Sequence, residues 1–240
     1  MSKHLLVFRQ MTDKIEIEPI AHIRTDFPTK FGIPRQSGIV PTLRGQIVFC
    51  PKFRNPDALR GIEGFTHLWL IWQFSANQNA GWQPMVRPPR LGGNRQVGVF
   101  ASRSPFRPNG LGLSAAEIER IEWNTPQGPV VHVLGADLMD GTPIFDIKPY
   151  VTYADSIPQA KSGFVDEVEF SHLTVVFPDN LRQKLSPDQA STLIQVLEND
   201  PRPPVQASAD KIFGMPFAGF DVRFRVDGSV LTVVDIVEQV

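Results

Sequence analysis

Five arginines share one stretch of the chain that holds no other charged residue. Between Gly64 and Ala116 there is no aspartate, glutamate or lysine, so guanidinium groups carry all of its charge. The five residues are Arg87, Arg90, Arg95, Arg103 and Arg107. Prolines and glycines stand among them: proline fixes backbone angles, glycine lets a backbone approach a ligand closely, and guanidinium binds phosphate bidentately. This composition predicts a preorganised loop site for an anionic ligand.

Two carboxylates form a second candidate group, shortly after an apolar stretch at residues 130–134. Asp137 and Asp140 precede Gly141 at a predicted strand end, where ligand-binding loops often lie. An ordinary Asp-Gly turn explains the same residues, so both interpretations stay open. Lys148 follows a few residues later, and we expect it near the same end.

Two further polar positions are weaker candidates. Arg35 and Gln36 follow Pro34 in a loop. Arginine and glutamine together can bind a carboxylate or a base edge, although a surface turn is the simpler interpretation. His67 begins an apolar stretch, where a histidine is more often a hydrogen-bonded structural residue than a functional one.

Residue spacing excludes several common kinds of active site. The chain has five histidines and one cysteine, Cys50, without the spacing of a zinc site, so no metal is expected. No serine–histidine–aspartate arrangement, catalytic cysteine or phosphate loop emerges. An enzyme with these residues would position a reactive cofactor against its substrate, and a non-catalytic RNA-binding module would look much the same.

Composition and charge indicate a folded protein with unequal halves. With 240 residues, 42% of them hydrophobic and 20% charged, the chain suits one large domain or two modest ones. Residues 1–116 hold 15 Lys and Arg against 6 Asp and Glu, whereas residues 117–240 hold 9 against 19. The basic half predicts a surface for a polyanion, although ordinary solvated surface or pairing between the halves explains the asymmetry as well.

The sequence also favours a cytoplasmic protein. The apolar run near Met1 is too short for a signal peptide, and no segment approaches the apolar length needed to span a bilayer. A single cysteine fits a reducing compartment. We therefore expect no membrane partner.

Short strands separated by loops position these candidates. Strands are predicted at residues 15–23, 46–50, 67–74, 97–101 and 130–134. The third is apolar throughout, as in a strand buried on both faces. Residues 55–61 predict a short helical turn, and residues 114–123 fit neither the helical nor the strand period. Because no long helices alternate with the strands, the pattern favours a mainly β fold, a single sheet closed into a barrel.

The later part of the chain predicts a small α+β C-terminal domain. Residues 154–169 are polar and acidic, as in a linker. A capping box at Ser186 begins a predicted helix, and residues 220–237 predict a hairpin. The expected division is a barrel domain at residues 1–157 and a strand–helix–hairpin domain at residues 158–240.

Six separated motifs stand in a fixed order along roughly residues 15–155. They are Pro34-Arg35-Gln36 and residues 60–69, 87–94, 98–104, 106–109 and 137–143. In this order they resemble the TrmO (TsaA-like) tRNA methyltransferase family. Residues 200–203 and 220–225 resemble the C-terminal domain of the bacterial members.

The resemblance implies a single-sheet β-barrel that binds S-adenosylmethionine without a Rossmann fold. It implies a homodimer with cofactor sites near the subunit interface. It also implies methylation of the N6 nitrogen of threonylcarbamoyladenosine, next to the anticodon of threonine tRNA. The cofactor contacts that it implies are Pro34, Arg35, Gln36, His67, Leu68, Arg103, Leu111, Leu113, Asp137, Leu138, Met139, Asp140 and Gly141.

For an enzyme of this kind we predict roles for single residues. A carboxylate of the Asp137–Asp140 pair is expected to hold the cofactor's polar groups or to accept a proton from the target nitrogen, with Asp140 as the predicted catalytic residue. The residues expected to bind the anticodon stem-loop or the threonyl carboxylate are Arg87, Arg90, Arg95, Arg107, Asn109 and Lys148. In a competing interpretation, some of these arginines pack against Trp82 or Phe106, or bridge the dimer. A non-catalytic RNA-binding protein and a small-molecule methyltransferase are the alternative functions.

Overall fold

A closed antiparallel barrel forms the first part of the protein. The computed structural model describes residues 15–88, 91, 95–167, 172–202 and 211–239. The first eight strands are β1 (Ala21–Thr25), β2 (Arg44–Phe49), β3 (His67–Gln73), β4 (Met85–Val86), β5 (Val97–Gly98), β6 (Leu111–Glu122), β7 (Val130–Leu134) and β8 (Pro143–Pro149). Six of them close the barrel in the order β1-β2-β7-β6-β3-β8, while β4 and β5 pair separately. The predicted single-sheet barrel is confirmed.

The period of two along the strands explains the barrel core. In β3, Leu68, Leu70 and Trp72 are buried, while the residues between them are half-buried on the outer face. The prediction that this apolar stretch is buried on both faces was therefore wrong. Its outer face holds Trp69 and Ile71, and Trp69 lines a cavity, so the sequence there shows no regular polar alternation.

Three other strand predictions are corrected by the structure. Residues 15–17 form no strand, and β1 begins only at Ala21. Residues 97–101 form the two-residue β5 followed by a 3-10 helix, Val99–Ala101. The ambiguous segment 114–123 belongs to the long strand β6, whose register against β7 shifts between Ile118 and Arg120. Such an irregularity reverses the side-chain alternation, so neither period fitted.

A second, four-stranded sheet follows the barrel along the chain. The strands and α-helices described after the barrel are α1 (Thr152–Asp155), β9 (Thr174–Val176), α2 (Asp179–Arg182), α3 (Pro187–Glu198), β10 (Phe213–Phe217), β11 (Phe220–Asp227) and β12 (Val230–Glu238). The sheet order is β10-β11-β12-β9. The predicted capping box is present at Ser186, where the Ser186 side chain accepts from the Gln189 backbone amide. No helix in the described parts of the chain is long and apolar enough to cross a membrane.

The connection between β1 and β2, residues 26–43 (the β1–β2 loop), packs against this second sheet. Phe27 contacts Phe217 edge to face at 5.4 Å between ring centroids, and the Ala218 amide donates to the Asp26 carbonyl at 2.9 Å. Leu43 belongs to the same buried cluster. The loop thus joins the core of the second sheet, and the division at residues 157 and 158 stays a prediction.

Candidate functional site

A cavity of about 470 Å³ opens beside the barrel. The β1–β2 loop forms one wall, and the adjoining ends of β3 and β6 form another. The loop at residues 102–107 and the turn at residues 137–142 complete it. A cavity of this size and mixed lining is typical of a small-molecule or cofactor site.

Aromatic residues of β3 supply the apolar wall, and a glycine makes room for them. Trp72 lies opposite Gly112 in the β3–β6 register. A Cβ atom at position 112 would lie 2.4 Å from the Trp72 ring, so only glycine leaves the indole in place. Phe74 packs edge to face on this indole at 4.4 Å, and Trp69 lines the cavity from the outer face of β3.

A hydrogen-bonded chain runs from this wall to the cavity's carboxylate. The Trp72 Nε1 group donates to Ser114 Oγ at 3.0 Å, and Ser114 Oγ donates to Asp137 Oδ1 at 2.6 Å. Burial raises the pKa of the Asp137 carboxyl above its ordinary value, while the Ser114 hydrogen bond and the Arg103 charge act in the opposite direction. Asp137 is therefore a half-buried, oriented carboxylate with a basic residue nearby.

Arginines from two loops stand at the cavity beside this carboxylate. Arg103 hydrogen-bonds the Gln36 side chain, which links the loop at residues 102–107 to the β1–β2 loop. Burial raises the pKa of the Asp200 carboxyl, after α3, but the Arg202 hydrogen bonds and, to a smaller extent, the charges of Arg202 and Arg35 bring that pKa below its ordinary value. The cavity thus offers a carboxylate, guanidinium groups and aromatic faces, a set that fits a ligand with both cationic and anionic groups.

Most of the predicted cofactor residues line this cavity. They are Pro34, Arg35, Gln36, Arg103, Leu111, Leu113, Asp137 and Met139. The structure brings them together from four separate parts of the chain, as the resemblance implied. Their role in binding a cofactor stays a prediction.

The other predicted cofactor residues lie outside the cavity lining. Leu68 and Leu138 are buried in the barrel core, and the Gly141 amide donates to the Ile23 carbonyl. His67 begins β3 at the end opposite the cavity, with its Nδ1 atom 2.9 Å from Thr66 Oγ1. The two leucine side chains pack in the barrel core, and the cofactor contacts predicted for all four residues stay predictions.

Asp140, the predicted catalytic residue, connects the turn to β1. Its Oδ1 accepts from the Thr25 amide at 3.1 Å, and its Oδ2 lies 3.5 Å from Arg24 Nη1. The Asp140 amide itself donates to the Phe27 carbonyl. Asp137 rather than Asp140 is the carboxylate of the pair that lines the cavity.

The predicted substrate residues differ in how firmly their side chains are held. Arg107 donates to the Ser102 carbonyl at 2.6 Å and lies 5.9 Å from the Phe100 ring centre, so it is fixed within its loop. Arg95 pairs with Glu167 at 2.7 Å. Arg87 is exposed and forms no ion pair with another residue in the described ranges.

The remaining predicted substrate residues lie elsewhere. Lys148 pairs with Asp146 at 3.1 Å on β8, away from the cavity lining. Asn109 lines a second cavity beside the first. Arg90 falls outside the described residues.

Sequence reasoning missed several residues that build the site. Trp69, Trp72 and Phe74 were taken as strand core, and Ser114 was not singled out. An apolar strand that holds two tryptophans could have indicated an aromatic wall. The Ser114–Asp137 bond spans 23 positions, so no local pattern indicates it. Among the described residues, no group of histidine, cysteine and acidic side chains is arranged to hold a metal ion.

Family models match both parts of the chain. Residues 22–156 match the tRNA-methyltransferase O N-terminal domain, and residues 167–239 match the TrmO C-terminal domain. The chain is 37% identical over 220 residues to the tRNA (adenine(37)-N6)-methyltransferase of Escherichia coli, which covers 88% of this chain and 93% of that protein.

Two proteins of Pseudomonas aeruginosa are also similar to this chain over most of its length. A putative S-adenosylmethionine-dependent methyltransferase named RcsF is 40% identical over 216 residues, covering 87% of this chain and 91% of that one. A crystal structure of TrmO superimposes with a TM-score of 0.73 at 30% identity, covering 93% of this chain and 99% of that one.

Proposed function

The chain belongs to the tRNA-methyltransferase O family, and we propose that it methylates the N6 nitrogen of threonylcarbamoyladenosine next to the anticodon of threonine tRNA. The observation that carries this proposal is the aromatic cavity with the oriented Asp137 carboxylate. The relative from Escherichia coli acts on adenine 37 of tRNA, as its name states. The threonylcarbamoyl group and the choice of threonine tRNA come from the family resemblance.

The residues of the cavity fit S-adenosylmethionine. Trp69 and Trp72 offer faces for an adenine ring and for a sulfonium cation. The Asp137 carboxylate suits an ammonium or ribose hydroxyl group, and Arg103 suits a carboxylate. When bound, this cofactor supplies an electrophilic methyl group on a positively charged sulfur.

The protein itself has to position the reacting groups and to accept the proton that leaves the target nitrogen. Fixed placement in a dry site accounts for a large part of the barrier, on the order of 7–11 kcal/mol. The acceptor nitrogen must lose a proton as it gains a carbon substituent. Among the described residues that line the cavity, Asp137 is the carboxylate, and its raised pKa brings it closer to the range of a useful general base.

The test is transfer of labelled methyl from S-adenosylmethionine to threonine tRNA by the purified full-length chain. Label should enter tRNA that carries threonylcarbamoyladenosine and should not enter a transcript with plain adenine at that position. A non-catalytic RNA-binding protein would bind the tRNA without label. A small-molecule methyltransferase would show little affinity for tRNA.

The expected homodimer belongs to the same proposal. Leu113 lines the cavity and is 55% exposed, so a partner subunit there would cover apolar surface. Sedimentation equilibrium of the purified chain checks this: a dimer supports the proposal, and a monomer at all concentrations contradicts it.

A further inference from the structure

A second cavity, of about 440 Å³, adjoins the first. The residues that line both cavities are Gln73, Phe74, Asn77, Pro105 and Arg107. If the first cavity holds the methyl donor, the acceptor must reach it from an adjoining space, because the reacting atoms have to come within contact distance. The second cavity is such an adjoining space, because it shares a wall with the first.

Carboxamide side chains dominate the second cavity. They are Gln73, Asn77, Gln78, Asn79 and Asn109. A carboxamide offers both donors and acceptors, and asparagine and glutamine pair with the edge of adenine in this way. No carboxylate is found among the described residues of the lining, so nothing there repels an anionic ligand.

Trp82 adds an exposed aromatic face to this lining. Its side chain is 56% exposed, which is unusual for tryptophan unless the ring has a partner to bind. Exposed aromatic rings of RNA-binding proteins stack on unpaired bases. The neighbouring Gln83 amide donates to the Phe106 carbonyl at 3.1 Å, which joins the two loops that form the cavity.

Arg107 places a fixed positive charge on the wall between the cavities. Its Nη1 atom donates to the Ser102 carbonyl at 2.6 Å and to the Val99 carbonyl at 3.2 Å. The guanidinium is therefore held in position before any ligand arrives, and its remaining donors suit an anionic substituent.

We propose that the second cavity binds the target adenine base of the tRNA, extruded from the anticodon loop, with its N6 edge at the shared wall. Extrusion costs little for a base that is already unpaired. Trp82 stacks on the ring, the carboxamides bind its edge, and Arg107 faces the carboxylate of the N6 substituent. This inference rests on the proposed function and assigns its acceptor site.

The experiment measures binding of the full-length protein to two anticodon stem-loop RNAs. One carries threonylcarbamoyladenosine at the target position, and the other carries an abasic nucleotide there. Trp82→Ala should weaken binding of the intact RNA between about 5-fold and about 150-fold, the range that base stacking supplies. It should leave binding of the abasic RNA unchanged, because that RNA has no base to stack.

A second variant tests the carboxamide lining. Asn109→Asp keeps the side-chain shape but adds a negative charge beside the anionic ligand, so KM for tRNA should rise roughly 10-fold or more. Affinity for S-adenosylmethionine, measured by calorimetry without RNA, should stay unchanged in both variants. Tyr153→Ala and Asn124→Asp are the matched controls on exposed positions outside the cavity, and they should behave as wild type.

Three results would overturn the assignment. If Trp82→Ala weakened the binding of the intact and the abasic RNA equally, Trp82 would contact the RNA backbone and not the target base. Weaker binding of S-adenosylmethionine would assign the second cavity to the donor. If neither Trp82→Ala nor Asn109→Asp changed RNA binding, the second cavity would not be the site that binds the base. If wild type binds the intact RNA through Trp82 yet transfers no methyl group, the proposed reaction fails while the base site stands.

Discussion

Asp137 and Asp140 are only three positions apart, yet the structure gives their carboxylates different surroundings. Asp137 accepts from Ser114 inside the cavity, whereas Asp140 accepts from the Thr25 amide beside β1. Asp137→Asn should lower kcat by roughly 10²–10⁴-fold if this carboxylate accepts the proton, the usual contribution of a general base. If it only holds the cofactor, KM for S-adenosylmethionine should rise instead. Steady-state kinetics separate these results.

Asp140→Asn is the matched variant for that measurement. The amide oxygen of asparagine can still accept from the Thr25 amide, so the turn should persist and kcat should stay within a few-fold of wild type. An Asp140→Asn enzyme as impaired as Asp137→Asn would contradict this division of roles and support the original prediction of Asp140 as the catalytic residue.

The surroundings of Asp137 also predict a pH-dependent stability difference. Burial raises the pKa of this carboxyl, so the folded protein holds the proton more tightly than the unfolded chain does. The stabilising contribution of the group is therefore present below the ordinary aspartate pKa and is lost as pH rises through the folded value. Asparagine at position 137 does not titrate, so the Asp137→Asn variant does not lose this stability. Its free energy of unfolding should therefore rise relative to wild type as pH increases from the ordinary aspartate pKa through the folded value.

Urea unfolding at a series of pH values checks this prediction. The difference between Asp137→Asn and wild type should grow with rising pH and then level off. Asp140→Asn serves as the control. A difference that is the same at every pH would show that folding does not raise the pKa of the Asp137 carboxyl.

At the scale of elements, the β1–β2 loop connects the cavity to the second sheet. Gly32 has φ of +91°, and a Cβ atom there would lie 2.2 Å from Met215 Sδ on β10. Gly38 has a similar φ of +77°, with nothing within 4 Å. Substitution of Gly38 therefore tests backbone strain alone, whereas substitution of Gly32 tests backbone strain together with crowding against the second sheet.

Alanine at each position gives a matched pair. Gly38→Ala should lower the free energy of unfolding by about 1–2 kcal/mol, the cost of a left-handed backbone for a residue with a side chain. Gly32→Ala should cost about 1–3 kcal/mol more from overpacking, and it should raise KM for S-adenosylmethionine because Pro34 to Gln36 move with the loop. Thermal unfolding and kinetics measure both. Equal effects of the two variants would mean that Met215 does not position the loop.

The elements also show what the sequence could predict. The short strands β2 and β7, the Ser186 capping box and the hairpin of β11 and β12 carry local signals, and the structure confirms them. The shifted register of β6 and the half-buried outer face of β3 depend on contacts between distant parts of the chain, so local periodicity did not predict them. The Trp72–Ser114–Asp137 chain likewise depends on the pairing of β3 with β6 and of β6 with β7, which no local pattern indicates.

At the scale of the whole molecule, the basic part of the chain is expected to meet the tRNA backbone. Arg87 is exposed, and the ion pair of Arg95 with Glu167 is half-exposed and weak enough to exchange for a phosphate. Replacing both by alanine should reduce the slope of log affinity for tRNA against log salt by about 0.7–0.9 per arginine. An unchanged slope would remove these arginines from the RNA interface.

Arg182→Ala is the control for this salt titration. Arg182 ends the short helix α2 on the second sheet's side of the molecule and is exposed. Its replacement should leave the salt slope as in wild type. A slope reduced as much as in the Arg87 and Arg95 variants would place the RNA on the second sheet instead.

The proposed reaction is methylation of N6 of the threonylcarbamoyl-modified adenosine beside the tRNA anticodon. The most direct measurement is mass spectrometry of nucleosides from threonine tRNA of cells that lack the protein and of cells in which it is restored. In cells that lack the protein, N6-methylated threonylcarbamoyladenosine should disappear and the unmethylated nucleoside should accumulate. Wild type, but not Asp137→Asn, should restore the methylated nucleoside. An undiminished amount of methylated nucleoside in cells that lack the protein would rule out the proposed reaction.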